Sequence, residues 1–164
     1  EPMSSCTVIS PRIFRKFSQP YLKQLVDHIK SNGKGVVMHI CGQTSGIWQD
    51  IADMGVAGFS IDNVASIVEC KEKIGSKCRI LGNVDPGTIM YMGSKDQVRL
   101  ETLKGIRDGY DSPMGYTPMS GCSLPIDTPL ENIQEMMDTV ADVGYPVNIE
   151  HVNELINDVE KRLA

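Results

Sequence analysis

The fold is decided by the stretch Gly35-Val36-Val37-Met38-His39-Ile40-Cys41. It is rich in β-branched residues and almost continuously apolar, as strands are when both faces of a parallel sheet are covered. Only His39 and Cys41 interrupt it with groups that can bind a metal ion. Because side chains two apart on a strand point to the same face, the imidazole and the thiol are predicted to lie side by side.

The sequence on both sides of this strand alternates short apolar runs with longer helical segments. Further strands are predicted at 58–62, 79–84 and 116–120. Predicted helices cover 11–32 (divided at Pro20), 45–54, 64–74, 95–109, 130–143 and 152–163. This alternation indicates βα units around a parallel sheet. Four such units amount to half of a (β/α)8 TIM barrel, so the predicted fold class is α/β, with residues 1–164 as a single domain.

Composition excludes some classes of function. The 164 residues carry a formal net charge of −5, which argues against a nucleic-acid surface, where basic patches are expected. No apolar run approaches the roughly 20 residues that cross a bilayer, and no stretch is typical of a signal peptide, so a cytoplasmic location is expected. The five cysteines are an odd number and are expected to be thiols in that compartment.

A third candidate ligand lies far along the chain. Cys122 follows the last predicted strand, in a loop at the same carboxyl edge of the sheet as Cys41. Imidazole and thiolate suit zinc, and three protein ligands leave a fourth position open, as in catalytic zinc sites. The residues therefore predict a metal site of His39, Cys41 and Cys122. The alternative is a buried histidine with free cysteines, because a His-x-Cys pattern alone is common. Cys70 and Cys78 lie away from this edge and are expected to be core or partly exposed thiols.

Polar residues also end two neighbouring predicted strands. Asp62, Asn83 and Asp85 are expected to bind substrate, because (β/α) folds place functional groups at the carboxyl ends of their strands. Alternatively, each of them caps a helix or accepts a hydrogen bond from a turn amide. A further alternative is that the carboxylate of Asp62 or Asp85 orients the imidazole of His39.

Several motifs resemble those of one superfamily. Gly82-Asn83-Val84-Asp85-Pro86 resembles the Gly-Asn-x-Asp-Pro strand end of the uroporphyrinogen decarboxylase superfamily. The opening Ile9-Ser10-Pro11-Arg12-x-Phe14, followed by Pro20-Tyr21-Leu22-Lys23, also resembles that superfamily. Within it, two segments resemble the methylcobamide:coenzyme M methyltransferase branch: His39-x-Cys41-Gly42 and Gly121-Cys122-x-Leu124-Pro125-x-x-Thr128-Pro129-x-x-Asn132.

This resemblance implies a zinc ion on His39, Cys41 and Cys122. It also implies methyl transfer from a methylated corrinoid, carried by a partner protein, to a small thiol such as coenzyme M. The nearest alternative is transfer from a methylated or methoxylated substrate to the corrinoid protein. A uroporphyrinogen decarboxylase-like enzyme is more distant, because the Gly-His-Gly stretch that decarboxylases tend to carry near the position of Cys122 is missing. A non-catalytic zinc-binding module is the alternative outside the enzymes.

The resemblance covers only the C-terminal half of the family's barrel. The chain begins with Glu1 rather than an initiator methionine, and we expect it to be a piece of a longer protein that need not be active alone. A half-barrel has two exposed sheet edges, which proteins normally avoid. These edges are expected to pair with another copy of the chain, as a homo-oligomer, or with the rest of a longer polypeptide.

Overall fold

A four-stranded parallel sheet organises the protein in the computed structural model, which describes residues 2–164. Glu1, on which the expectation about the start of the chain rests, lies outside the described residues. The strands are β1 (Val37–Ile40), β2 (Gly58–Ile61), β3 (Arg79–Leu81) and β4 (Tyr116–Thr117). They pair in sequence order, β1 to β4, and all neighbours are parallel. The prediction of an α/β half-barrel is confirmed.

Helices connect the strands where the sequence predicts them. They are α1 (Pro11–Phe17), α2 (Gln19–Ser31), α3 (Trp48–Asp53), α4 (Ile67–Ile74), α5 (Lys95–Gly109), α6 (Leu130–Val143) and α7 (Ile149–Leu163). The Ser10 side chain accepts a hydrogen bond from the Ile13 amide and caps α1, while Pro20 stands in the first turn of α2. The predicted division of the first helical segment is thereby confirmed.

The chain after β3 differs from the prediction. The strand ends at Leu81 rather than at position 84, and Val84 returns to the sheet only through a single bridge to Ser120. A short π-helical turn, Pro86–Tyr91, then follows Asp85, whose carboxylate accepts hydrogen bonds from the amides of Gly87 and Thr88. Sequence periodicity did not indicate this turn, because it is short and is fixed by one capping side chain.

The hydrophobic core lies on one face of the sheet. Met38, Ile40, Phe59, Ile61 and Ile80 lie at alternate strand positions and are buried with apolar residues of α3 and α4. A second apolar cluster joins α5 to α7. Both clusters anchor the strands, so that the carboxyl ends of the strands hold fixed positions.

The opposite face of the sheet and its two lateral edges are less covered. Val37 on β1 is 58% exposed, and Arg79 on β3 is also exposed. Among the described residues, no strand pairs with the outer edge of β1 or of β4. Parallel sheets normally have both faces covered, so this arrangement agrees with half of a closed barrel.

The helices have no membrane-spanning character. Within residues 2–164, none of them is both long enough and apolar enough to cross a bilayer.

Candidate metal centre

His39 and Cys41 reach the site from the end of β1. Met38 and Ile40 point into the core, so the alternation of the strand turns the imidazole to the opposite face, in register with Ser60 on β2. Cys41 lies one residue beyond the strand and continues the same alternation. Gly42 follows with φ +71°, a left-handed conformation that glycine adopts without strain, and the chain turns away there.

Cys122 reaches the same place from a loop 81 residues further along the chain. The Gly121 amide donates to the Val84 carbonyl at 2.8 Å, which ties the loop to the end of the sheet. A Cβ at Gly121 would lie only 2.5 Å from the backbone nitrogen of Asn63, so glycine permits the loop to pass this close to the β2–α4 connection. The hydroxyl of Ser120 donates to the Cys122 carbonyl at 2.7 Å and holds the ligand-bearing turn.

Three potential ligand atoms meet at this point. His39 Nε2 lies 3.2 Å from Cys41 Sγ, and Cys41 Sγ lies 3.3 Å from Cys122 Sγ. All three atoms lie within 4.8 Å of one another, and each residue is half-buried. The sequence-predicted trio is therefore brought together across the chain.

The orientation of the His39 ring is fixed by β2. Its Nδ1 atom lies 3.1 Å from both the carbonyl oxygen and the hydroxyl of Ser60. A proton on Nδ1 donated to the carbonyl leaves the Nε2 lone pair directed at the two sulfurs. The sequence analysis did not identify Ser60. Its signal was a polar residue inside an apolar strand, two positions before Asp62.

Asp62 acts on the backbone around the site. Its Oδ2 accepts a hydrogen bond from the Gly42 amide at 2.7 Å, and its Oδ1 accepts one from the Val64 amide at 3.1 Å. The carboxylate thus holds the turn that follows Cys41. Of the roles considered for Asp62, the structure supports acceptance of hydrogen bonds from turn amides, and substrate binding stays a prediction.

Asn83 and Asp85 join neighbouring loops. The Asn83 amide donates to the carbonyls of Asp62 and Ala65 at 2.9 and 2.7 Å. Asp85 caps the π-helical turn with one oxygen and accepts from the Asn63 side chain at 3.0 Å with the other. Burial by itself would raise the pKa of Asp85, but the hydrogen bonds from the residues of that turn outweigh burial and lower it.

Two of the predicted substrate residues, Asn83 and Asp85, line a cavity that the metal ligands do not reach. Asn83 and Asp85 face a polar cavity of about 420 Å³, together with Asn63, Ser66 and Thr88, and none of the three ligand residues lines it. Substrate binding by Asn83 and Asp85 also stays a prediction.

The electrostatics of the two clustered thiols favour a cation. Burial, followed by the hydrogen bond and charge interaction with Cys122, raises the pKa of Cys41. A positive charge beside the Cys41 sulfur would favour its thiolate. A bound metal ion supplies such a charge.

The ligand set fits zinc. Tetrahedral zinc with bonds of about 2.3 Å to sulfur and 2.0–2.1 Å to nitrogen places its ligand atoms about 3.5–3.8 Å apart. The observed separations of 3.2 and 3.3 Å lie within a few tenths of an ångström of that range. One imidazole and two thiols match the soft-to-borderline preference of zinc, and three protein ligands leave one position for a substrate.

The remaining cysteines lie outside the centre. Cys70 and Cys78 are fully buried, the first of the two expected placements, and burial raises their pKa to about 12 and about 11. Cys6 is half-buried, and its sulfur lies 3.4 Å from the position that a Cβ on Gly46 would take. None of these three belongs to the group of ligand atoms around His39.

Comparison with known proteins places these features in a family context. The model of the uroporphyrinogen decarboxylase (URO-D) family matches residues 1–143. The methylcobamide:CoM methyltransferase MtaA of Methanosarcina barkeri is 30% identical over 138 residues, covering 84% of this chain and 38% of the relative. The uroporphyrinogen decarboxylase of Vibrio campbellii is 29% identical over 143 residues, covering 85% of this chain and 39% of the relative.

A solved structure agrees with the sequence comparison. A methyltransferase from Methanosarcina mazei superposes with a TM-score of 0.73 at 29% identity, covering 84% of this chain and 39% of that one. The chain therefore spans about two fifths of the length of the relatives that it matches.

Proposed function

Because this chain belongs to the uroporphyrinogen decarboxylase (URO-D) family, we propose that it carries the zinc centre of a corrinoid-dependent methyltransferase. The reaction proposed is transfer of a methyl group from a methylated corrinoid protein to a thiol such as coenzyme M. The observation that carries the proposal is the meeting of His39, Cys41 and Cys122, whose ligand atoms lie within 4.8 Å of one another. The relatives named as methylcobamide:CoM methyltransferases supply the reaction class.

In this proposal three residues bind the metal and two others position them. His39 Nε2 and the sulfurs of Cys41 and Cys122 would hold the metal, and a zinc ion there would supply the positive charge that lowers the pKa of a substrate thiol. Ser60 keeps the imidazole nitrogen directed at the site. Asp62 holds the Gly42 turn, so that the Cys41 sulfur stays in place while substrate enters.

No side chain of the chain needs to act as a general base in this proposal. An unperturbed thiol has a pKa of about 8.5 and is mostly protonated at neutral pH, so the activating group must displace its proton. The thiol gives up its proton to solvent, its sulfur attacks the methyl carbon, a sulfur–carbon bond forms, and the electron pair of the carbon–cobalt bond stays with the corrinoid. Asp62, Asn83 and Asp85 are proposed to contribute to substrate binding at the same rim.

Metal analysis tests the ligand set. The purified protein is expected to contain about one zinc per chain, as a three-ligand site requires. The Cys122→Ser variant is expected to lose most of it, whereas Cys6→Ser, which changes a half-buried cysteine outside the centre, should keep it. Full zinc content in the Cys122→Ser protein would contradict the assignment of Cys122 as a ligand.

Zinc-edge X-ray absorption tests the direction of transfer. Addition of coenzyme M should add a sulfur ligand to zinc, which the transfer toward a thiol requires. A spectrum unchanged by the thiol, together with methyl transfer from a methylated substrate to a corrinoid, would favour the opposite direction.

A uroporphyrinogen decarboxylase-like activity is the second candidate. Decarboxylases of the same family match this chain at 29% identity, close to the identity of the methyltransferases. Turnover of uroporphyrinogen that survives removal of zinc and the Cys122→Ser change would establish it. The ligand trio favours the methyltransferase, because decarboxylation gives the two thiols at the site no role.

A further inference from the structure

We propose that Cys41 and Cys122 form a dithiol that low-molecular-weight disulfides oxidise to an intramolecular disulfide, and that the oxidised chain cannot hold a metal. The first part is an additional modification site of this chain and stands on the geometry of the two sulfurs. The second part rests on the proposed function, because it concerns the same ligand atoms.

The two sulfurs are already close to bonding distance. Cys41 Sγ and Cys122 Sγ are 3.3 Å apart, and a disulfide requires about 2.05 Å, so the atoms need to approach by roughly 1.3 Å. Cys122 lies in the irregular segment between β4 and α6, and Cys41 lies one residue beyond β1. A loop can supply this approach without disturbing the packed core.

Access separates this pair from the other cysteines. Cys41 and Cys122 are both half-buried, so a small reagent reaches them, whereas Cys70 and Cys78 are fully buried. Cys6 is half-buried too, but its sulfur faces Gly46 and is outside the group of ligand atoms around His39. Among the described cysteines, the accessible and mutually adjacent pair is therefore Cys41 with Cys122.

The chemistry is two successive thiol–disulfide exchanges with a small disulfide RSSR as the oxidant. The Cys41 sulfur attacks one sulfur of RSSR, the S–S bond breaks, and the released RS⁻ takes up the proton of the Cys41 thiol. The Cys122 sulfur then attacks the Cys41 sulfur of the mixed disulfide and releases a second RSH. Two protein thiols are oxidised, one RSSR is reduced, and both protons end on RSH.

In the Cys41–Cys122 disulfide, two of the three candidate ligand atoms can no longer bind a metal ion. Zinc requires thiolate sulfur, and a disulfide sulfur is neither charged nor a comparable ligand. His39 alone then remains at the site. Oxidation and metal binding therefore exclude each other, and a small thiol that reduces the disulfide restores the site. The disulfide form of an acceptor thiol would therefore inhibit the site by oxidising its ligands, and the thiol form would reactivate it.

The experiment uses 2-hydroxyethyl disulfide as the oxidant on the folded protein, with and without prior removal of metal by a chelator. The metal-free chain is expected to fall from five free thiols to three, counted after denaturation, and its mass should fall by two hydrogen atoms. Peptide mapping should join the peptides of Cys41 and Cys122, and dithiothreitol should restore five thiols. Zinc-loaded chain should oxidise at least about tenfold more slowly and release zinc as it does so.

The controls separate the two parts. Cys6→Ser should still lose two thiols, and Cys122→Ser should stop at a mixed disulfide on Cys41. Five thiols retained by the metal-free chain, or a disulfide that maps to Cys6, would overturn the dithiol. Zinc retained by the oxidised chain would overturn the exclusion of metal. A chain that forms the disulfide but never binds zinc supports the dithiol and contradicts only the proposed function.

Discussion

Two pairs of cysteines in this chain occupy opposite environments. Cys41 and Cys122 are half-buried at the carboxyl edge of the sheet, with their sulfurs 3.3 Å apart beside an imidazole. Cys70 and Cys78 are fully buried on α4 and just before β3, where burial raises their pKa to about 12 and about 11. The residue type is the same in all four. The difference lies in burial: the half-buried thiols at the carboxyl edge are accessible for chemistry, and the fully buried thiols contribute to packing.

The sharpest test of this difference replaces one cysteine from each pair. Cys41→Ser should reduce bound zinc from about one per chain to almost none, because it removes one of three protein ligands. Cys70→Ala should leave the zinc content unchanged, because that sulfur is enclosed by the core. Mass spectrometry of metals after gel filtration measures both. Equal zinc loss in the two variants would erase the distinction between the pairs.

Alkylation of the folded, metal-free protein measures the same difference as a rate. Iodoacetamide should modify Cys41 and Cys122 at least about 100-fold faster than Cys70 and Cys78, because the reagent reaches half-buried sulfurs but not fully buried ones. The thiols of Cys70 and Cys78 are enclosed by the core, so their reaction should require the chain to open. Peptide-resolved labelling over time gives the four rates. Comparable rates at neutral pH would contradict the burial of the second pair.

A substitution at Ser60 tests whether its hydroxyl orients the His39 ring for metal binding. Ser60→Ala removes the hydroxyl contact to His39 Nδ1 but keeps the backbone carbonyl contact, so zinc affinity should weaken by about tenfold, the lower end of such effects. Competition against a chromophoric chelator measures it. Ser112→Ala is the matched control, because Ser112 is a buried serine whose hydroxyl has no hydrogen-bond partner within residues 2–164. A Ser60→Ala affinity equal to that of Ser112→Ala would leave Ser60 with no role in orienting the ring.

The smallest expected effect is on stability, and here the buried cysteine should matter more than the ligand cysteine. Cys70→Ala should lower the free energy of unfolding by about 1–2 kcal/mol, because it leaves a small cavity in the core. Cys122→Ala should change the stability of the metal-free chain by no more than about 0.5 kcal/mol, as expected for a partly exposed loop residue. Urea unfolding without metal measures both. A larger loss for Cys122→Ala than for Cys70→Ala would reverse the assignment of the two pairs.

The sequence permitted prediction of those parts of the site that depend on local periodicity. The alternation of β1 places His39 and Cys41 on one face whatever the rest of the chain does, and the βα pattern determines which edge they occupy. Cys122 required the further inference that its loop lies at the same edge. The structure shows that this depends on the contact of Gly121 with Asn63, a tertiary contact that no local pattern encodes.

The roles of the polar residues were harder to predict. The positions of Asp62 and Asp85 at strand ends predict substrate binding, but their oxygens accept hydrogen bonds from amides of the neighbouring loops. A carboxylate at a strand end serves substrate and backbone equally well by residue type, so sequence cannot separate the two roles. Ser60 was missed for a related reason: a serine within an apolar strand has no distinctive spacing until its partner on the next strand is known.

The position of Asn63 constrains how this rim can vary between proteins. Its backbone lies against Gly121 in the loop that carries Cys122, and its side chain donates to Asp85 before the π-helical turn. Three connections of different length therefore share one point of support. We expect an insertion in any one of them to shift the other two. Changes of loop length on this scaffold are therefore best accommodated at the amino ends of the strands, at the opposite edge of the sheet from the ligand residues.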